Sequence, residues 1–123
     1  MRKNLVVGNW KMHGSRAANS VLLAGLKEAG PWSADVAVCV PFPYLTETAL
    51  ALTGQQVVFG AQDCSAHEQG AFTGEVSSAM LSDLGCRYVE ENLISHFGLF
   101  CLKGCLPRRP FLLVRPAGRT PRK

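Results

Sequence analysis

An asparagine and a lysine follow a short apolar run near the start of the chain, in the segment Gly8–Met12 (GNWKM). The lysine ammonium is a compact positive charge that can hold a phosphate or a developing oxyanion. The amide of the asparagine can bind a substrate oxygen or hold the lysine in place. Most lysines are solvated surface groups, so Asn9 and Lys11 form a candidate anion site only if the fold brings them to a concave edge.

The surrounding elements predict such an edge. Short apolar runs without polar alternation are typical of strands that are buried on both faces of a parallel sheet. Helical spacing of apolar residues separates them, with Ser15 as N-cap of the first helix and Trp10 as a packing residue between sheet and helices. The strands are predicted at 5–10, 36–40, 57–60 and from 87, the helices at 16–29, 43–52 and 77–84, and a loop at 62–76. This alternation predicts right-handed β/α crossovers, which a closed barrel and an open doubly wound sheet both satisfy. The first strand is not followed by a Gly-x-Gly-x-x-Gly turn, so a dinucleotide site is not indicated.

Five motifs in order resemble the triosephosphate isomerase family. They are the opening GNWKM at 8–12, PFPYL at 41–45, GAQD at 60–63, GAFTGE at 70–75 and LSDLGCRYV at 81–89. The resemblance covers residues 1–89. It implies an α/β fold made of the first three β/α units and the start of strand four of a (β/α)8 barrel, in which strand ends carry the active site.

The resemblance also implies a function. Family members interconvert dihydroxyacetone phosphate and glyceraldehyde 3-phosphate in glycolysis and gluconeogenesis, with a glutamate base, a neutral histidine and no cofactor or metal. Asn9 and Lys11 match residues that contact the triose phosphate. Thr73 and Glu75 belong to the GAFTGE motif of the predicted loop 62–76. This loop matches the third loop of the family, which family members insert into a second subunit to form a homodimer.

The family pattern stops at the fourth strand. A hydrophobic pair and then Gly-His-Ser-Glu would follow Val89, but the chain continues with EENLISHFG at 90–98. His96 lies near the expected place among different neighbours, so no catalytic role is carried over to it. Residues 90–123 form a second segment, a basic tail rich in Pro and Arg. A shifted reading frame is the favoured explanation, and a fused or true C-terminus is the alternative.

These observations leave two functional hypotheses. One is a truncated, inactive member of the isomerase family. The other is a non-enzymatic remnant that associates with another barrel chain through its third loop and open sheet edges. In such a half-barrel the first and fourth strands would have unpaired edges, and Val6, Val38 and Val58 would face the missing strands.

Charge, hydropathy and the cysteines bear on three other possibilities: nucleic-acid binding, a membrane or secreted protein, and a metal site. The chain has a net charge of +4, concentrated in the tail, where aromatic residues that would favour nucleic-acid binding do not alternate with the basic ones. No apolar run is long enough for a membrane span or a signal peptide, which predicts a cytoplasmic protein. The five cysteines are an odd number without a regular framework, so in a cytosolic chain they are interpreted as free, mostly buried thiols. A zinc site at Cys101, Cys105 and His96 is not favoured, because the spacing is loose and no fourth ligand is evident.

Overall fold

A computed structural model describes residues 4–91, 98–101 and 111–114. Its strands are β1 (Leu5–Asn9), β2 (Asp35–Val40), β3 (Val58–Ala61), β4 (Tyr88–Glu91), β5 (Gly98–Cys101) and β6 (Phe111–Val114). Its α-helices are α1 (Arg16–Glu28), α2 (Leu45–Ala51), which follows a 3₁₀ turn at Phe42–Tyr44, and α3 (Ser78–Asp83). The predicted elements of residues 5–89 are all present, with ends that differ by one or two residues.

Side-chain caps begin two of the helices. Ser15 is the N-cap of α1, as predicted, and its Oγ accepts a hydrogen bond from the amide of Ala18 at 3.2 Å. Ser77 caps α3 in the same way through the amide of Met80. These serines satisfy amide groups that have no partner inside the helix.

The first four strands form a parallel sheet in chain order. β1 pairs with β2, β2 with β3 and β3 with β4. The register aligns Asn9 with Cys39, Cys39 with Gly60, and Gly60 with Tyr88, so these four residues form one row across the sheet. Together with its helices, this curled sheet is the partial α/β barrel that the motifs predict.

The expectation of unpaired edges at β1 and β4 is wrong. β6 pairs with β1 in parallel, and β5 pairs with β4 in antiparallel orientation. Both added strands come from the segment after residue 89 and lie at the edges of the six-stranded sheet. Each is an apolar run of four residues without proline, so its backbone amides can pair with a neighbouring strand. The prolines of this segment, at 107, 110, 116 and 121, lie outside the described residues.

The three helices pack on one face of the sheet. The core on this face contains Val38, Val40, Phe59, Leu81 and Val89, among other residues, and Trp10 packs against it as predicted. Leu81 and Val40 have no solvent exposure. Each large apolar side chain buried in this way stabilises the fold by about 1.5–3 kcal/mol.

The opposite, inner face carries a smaller core made of Leu5, Val7, Ala37 and Cys39, with Val58 and Tyr88 packed against it. The prediction that Val6 and Val38 point toward the inner face is therefore wrong, because side chains alternate along a strand and that face is occupied by Leu5 and Val7 in β1 and by Ala37 and Cys39 in β2. Val58 does lie on the inner face. The strand ends of this inner face are where the candidate site lies.

Candidate functional site

Asn9 and Lys11 lie together at the carboxyl end of β1. Asn9 is the last residue of the strand and is 7% exposed, whereas Lys11 is exposed to solvent. The side-chain Oδ1 of Asn9 accepts a hydrogen bond from the backbone amide of Lys11 at 2.8 Å. The structure thus brings the two candidate residues into direct contact, through the asparagine side chain and the lysine main chain.

The backbone of Lys11 is left-handed, with φ of 56°. Lys11 is the only residue other than glycine with positive φ in the described part of the chain. Such a conformation costs a residue with a side chain about 1–3 kcal/mol and persists only where neighbouring groups impose it. Strain of this kind concentrates at functional sites, which singles out Lys11 on geometric grounds.

Gln62 also belongs to the site, although the sequence motifs did not single it out as a site residue. It follows β3, and its Nε2 donates hydrogen bonds to the carbonyl oxygens of Lys11 and Cys39, each at 3.0 Å. The amide of Trp10 also donates to the Cys39 oxygen at 3.0 Å. The signal was present in the sequence, because Gln62 follows β3 as Lys11 follows β1, and the carboxyl ends of parallel strands share one edge.

Gly60 makes this close meeting of strands possible. A Cβ atom at Gly60 would lie 2.4 Å from the carbonyl oxygen of Tyr88 and 3.1 Å from Cys39 Sγ. The first distance is far shorter than a van der Waals contact with backbone, which cannot move away as a flexible side chain would. Glycine is therefore required where β3 passes between β2 and β4 at the site.

Residues 66–75 of the third loop are all exposed, and hydrogen bonds within the loop hold its shape. Thr73 and Glu75 are both exposed, and the Oε1 of Glu75 accepts a hydrogen bond from Ser65 Oγ at 2.8 Å. At the tip, the rings of His67 and Phe72 stack with centroids 4.0 Å apart. Glu75 thus contacts its own loop, while Thr73 lies on the outer surface.

Glu90 is a buried carboxylate on the inner face. It is 4% exposed, and its Oε2 has no hydrogen-bond partner in the part of the chain that the structure describes. Burial raises the pKa of the neighbouring Cys39 thiol to about 12, and the negative charge of Glu90 adds to this shift. Burial also raises the pKa of Cys86 to about 11. Both thiols are therefore protonated and poorly nucleophilic at neutral pH.

Some of the cysteine and histidine side chains that could bind a metal lie among the described residues, and others do not. Cys39 and Cys86 are buried free thiols. Within the ranges 4–91, 98–101 and 111–114 no three His, Cys, Asp or Glu side chains come close enough to hold a metal ion. His96 and Cys105 lie outside the described residues, and so does the side chain of Cys101. No described helix is long and apolar enough to cross a bilayer.

A model of the triosephosphate isomerase family matches residues 4–96, which include every element of the candidate site. The chain belongs to the triosephosphate isomerase family. It is 49% identical over 121 residues to the triosephosphate isomerase of Thiobacillus denitrificans, an alignment that covers 98% of this chain and 48% of that protein. It is 57% identical over 96 residues to the triosephosphate isomerase of Cupriavidus necator, covering 78% of this chain and 38% of that protein.

The chain thus spans about half the length, or less, of the triosephosphate isomerases that it matches. The family model extends seven residues past Val89, where the recognisable motifs end. The part that the family model matches carries β1 to β4 and the strand-end residues Asn9, Lys11 and Gln62.

The raised thiol pKa values predict a pattern of chemical labelling and a pH dependence. In the native chain at pH 8, a thiol reagent should modify the half-buried Cys64 at least about tenfold faster than Cys39 or Cys86, because only thiolates react. Peptide mass mapping would measure this, with the urea-unfolded chain as control. Equal rates at Cys39 and Cys64 in the native chain would contradict the burial of Cys39.

The same shifts fix the sign of the pH effect on stability. The thiols hold their protons more tightly in the folded state, so their contribution is fully present below the ordinary pKa of 9.0 and is lost as the pH rises toward about 11 and 12. Urea midpoints should therefore fall between pH 9.0 and pH 11.

Proposed function

We propose that this chain carries one part of a triose phosphate site, in which Asn9 and Lys11 bind the substrate at the carboxyl end of β1. The observation that supports this most directly is the left-handed Lys11, held by Asn9 at the strand ends of a triosephosphate isomerase family member. The side chain of the buried Asn9 binds the backbone of Lys11 and so fixes the point from which the lysine side chain extends. A cation placed in advance stabilises an anion without the cost of reorganisation.

The proposed reaction of the family site is the interconversion of dihydroxyacetone phosphate and glyceraldehyde 3-phosphate. In this scheme Lys11 supplies the positive charge for the phosphate and for the enediolate oxygen, and no metal or cofactor takes part. A cytoplasmic location and a place in glycolysis and gluconeogenesis belong to the same proposal.

We further propose that the 123-residue chain by itself does not isomerise triose phosphates. The reaction needs a base and a neutral histidine beside the lysine, and the Gly-His-Ser-Glu motif does not follow β4 in this sequence. Groups that act as one catalytic unit lose nearly all activity when one of them is removed. Substrate binding by Asn9 and Lys11 is then the property that remains to be measured.

Two assays on the purified chain test this function. In a coupled assay, turnover should be more than about a hundredfold below the ~10 s⁻¹ that is typical of enzymes, with the Thiobacillus denitrificans enzyme as positive control. In titration calorimetry, Lys11→Ala should weaken binding of glycerol 3-phosphate about tenfold or more, because a charge-assisted hydrogen bond is lost.

Lys27→Ala is the matched control for the calorimetry, because Lys27 is an exposed lysine in the last turn of α1, away from the strand ends. Equal losses of affinity in the two variants would mean that the ligand responds to overall charge, and the proposed substrate site would be wrong. Turnover near 10 s⁻¹ would show that the chain is a complete enzyme.

A second candidate function is association with another barrel chain, as a homodimer or with a longer family member. The observation that favours it is the third loop, whose shape is set by internal contacts while Thr73 and the 40%-exposed Phe72 face outward. A loop that is already ordered loses little conformational freedom when a partner covers it. Thr73 and Glu75 would then be interface residues, Thr73 by contact and Glu75 by holding the loop through Ser65.

Sedimentation velocity over a hundredfold range of concentration tests this association. We expect concentration-dependent self-association that Thr73→Arg weakens about tenfold or more, since a large charged side chain would have to be desolvated at the contact. Thr53→Arg is the control, because Thr53 is an exposed threonine that follows α2, outside the loop. A monomer at all concentrations, or equal weakening by both substitutions, would rule out the loop as the contact.

A further inference from the structure

The two peptide groups that flank the Cα of Lys11 are both held by side chains from outside the residue. Asn9 Oδ1 accepts from the Lys11 amide at 2.8 Å, and Gln62 Nε2 donates to the Lys11 carbonyl at 3.0 Å. Fixing the peptide plane before the Cα and the plane after it fixes φ and ψ together. Asn9 is local, two residues away, whereas Gln62 reaches Lys11 from the end of another strand.

We propose that Gln62 is a positioning residue that keeps Lys11 in its left-handed conformation and so directs the lysine toward the substrate. The proposal rests on the role of Lys11 proposed above. Gln62 touches the main chain of Lys11 and is assigned no contact with the substrate.

The strain at Lys11 shows that such a restraint is needed. A left-handed backbone is disfavoured roughly fivefold to thirtyfold for a residue that carries a Cβ. Lys11 would relax to negative φ if neighbouring groups did not hold it, and its side chain would then leave the strand ends in a different direction. The Asn9 contact restrains the amide side of the residue, and Gln62 restrains the carbonyl side.

Gln62 is anchored well enough to act as that restraint. Both hydrogens of its side-chain amide are used, one on the Lys11 carbonyl and one on the carbonyl of Cys39 in β2. Cys39 is fully buried, and its carbonyl also accepts from the amide of Trp10, the neighbour of Lys11. The residues that follow β1 and β3 are thereby tied to one fixed point on β2.

The chemistry of the site favours glutamine over residues of similar shape. Two carbonyl oxygens face the Nε2 atom, so the group placed there must be a donor of two hydrogen bonds. A glutamate in its place would put a carboxylate oxygen against both carbonyls. A leucine has a similar size but would leave both without this donor.

A double-mutant cycle in urea unfolding measures the restraint directly, using the full chain at one fixed concentration. Glycine adopts positive φ without penalty, so Lys11→Gly should lower the unfolding equilibrium constant about threefold to tenfold in the native background. In the Gln62→Leu background Lys11 has already relaxed, and Lys11→Gly should then give no stabilisation. Stabilisation of equal size in both backgrounds would overturn the proposal.

Gln56→Leu provides the matched control background. Gln56 also binds main chain with its side-chain amide, donating to the carbonyl of Trp32 and accepting from its amide. It makes no hydrogen bond to Lys11, so the stabilisation by Lys11→Gly should be kept in full there. Loss of the stabilisation in this background too would show a general effect of weakening the fold and would contradict a specific role of Gln62.

Gln62→Glu serves as the second variant if Gln62→Leu does not fold, with the same expected loss of the glycine effect at neutral pH. Calorimetry with glycerol 3-phosphate separates this inference from the proposed function. If Lys11→Ala leaves the affinity unchanged, the substrate role of Lys11 is wrong, while the cycle still decides whether Gln62 holds its backbone. If Lys11→Ala weakens binding and Gln62→Leu does not, Gln62 does not direct the lysine.

Discussion

The register of the four parallel strands is the constraint on which the candidate site depends. It sets Asn9, Cys39, Gly60 and Tyr88 in one row, and the residues that follow in the chain lie just beyond that row. Lys11 and Gln62 meet there because each lies within two residues of the end of its own strand. A shift of β3 by two residues would preserve every inward and outward side chain but would move Gln62 about 6–7 Å along the sheet, out of reach of the Lys11 carbonyl.

That constraint explains why a local feature, the left-handed lysine, needs long-range structure. The hydrogen bond from Gln62 to Lys11 spans 51 residues of sequence, and the one to Cys39 spans 23. Neither can form before β1, β2 and β3 have paired. The helix-side core, which includes the last residues of β2 and β3, Val40 and Ala61, fixes this pairing and therefore also determines the geometry of the candidate site.

The inner face of the sheet carries a buried carboxylate, Glu90, beside its apolar core. The resemblance implies a hydrophobic pair after Val89, and Glu90 takes the first of those positions with a buried oxygen that lacks a partner among the described residues. A buried polar atom without a hydrogen bond costs about 1–3 kcal/mol. On the helix-side face of the same strand, Val89 is almost fully buried in the core.

The sequence predicted much of this architecture because its signals are local. Apolar runs, the capping Ser15 and five ordered motifs located the strands and helices of residues 5–89. The inward face was harder to predict, since β2 is apolar on both sides and Val38 cannot be told from Cys39 by hydropathy. β5 and β6 were missed because the flanking prolines and arginines suggested irregular structure, although GLFC and FLLV are apolar runs. The positive φ of Lys11 could not be predicted from its residue type, because this conformation is common only for glycine.

The backbone conformation of Lys11 is the central claim of this account, and nuclear magnetic resonance can observe it directly. A residue with positive φ has its amide proton close to its own Hα, which gives a strong intraresidue Overhauser effect. Lys11 should show this effect at glycine-like strength, clearly above that of its neighbours Asn9 and Trp10, in the full chain without ligand. An effect at Lys11 no stronger than that of the β1 residues would mean that its backbone is extended, and the account of the site would be wrong.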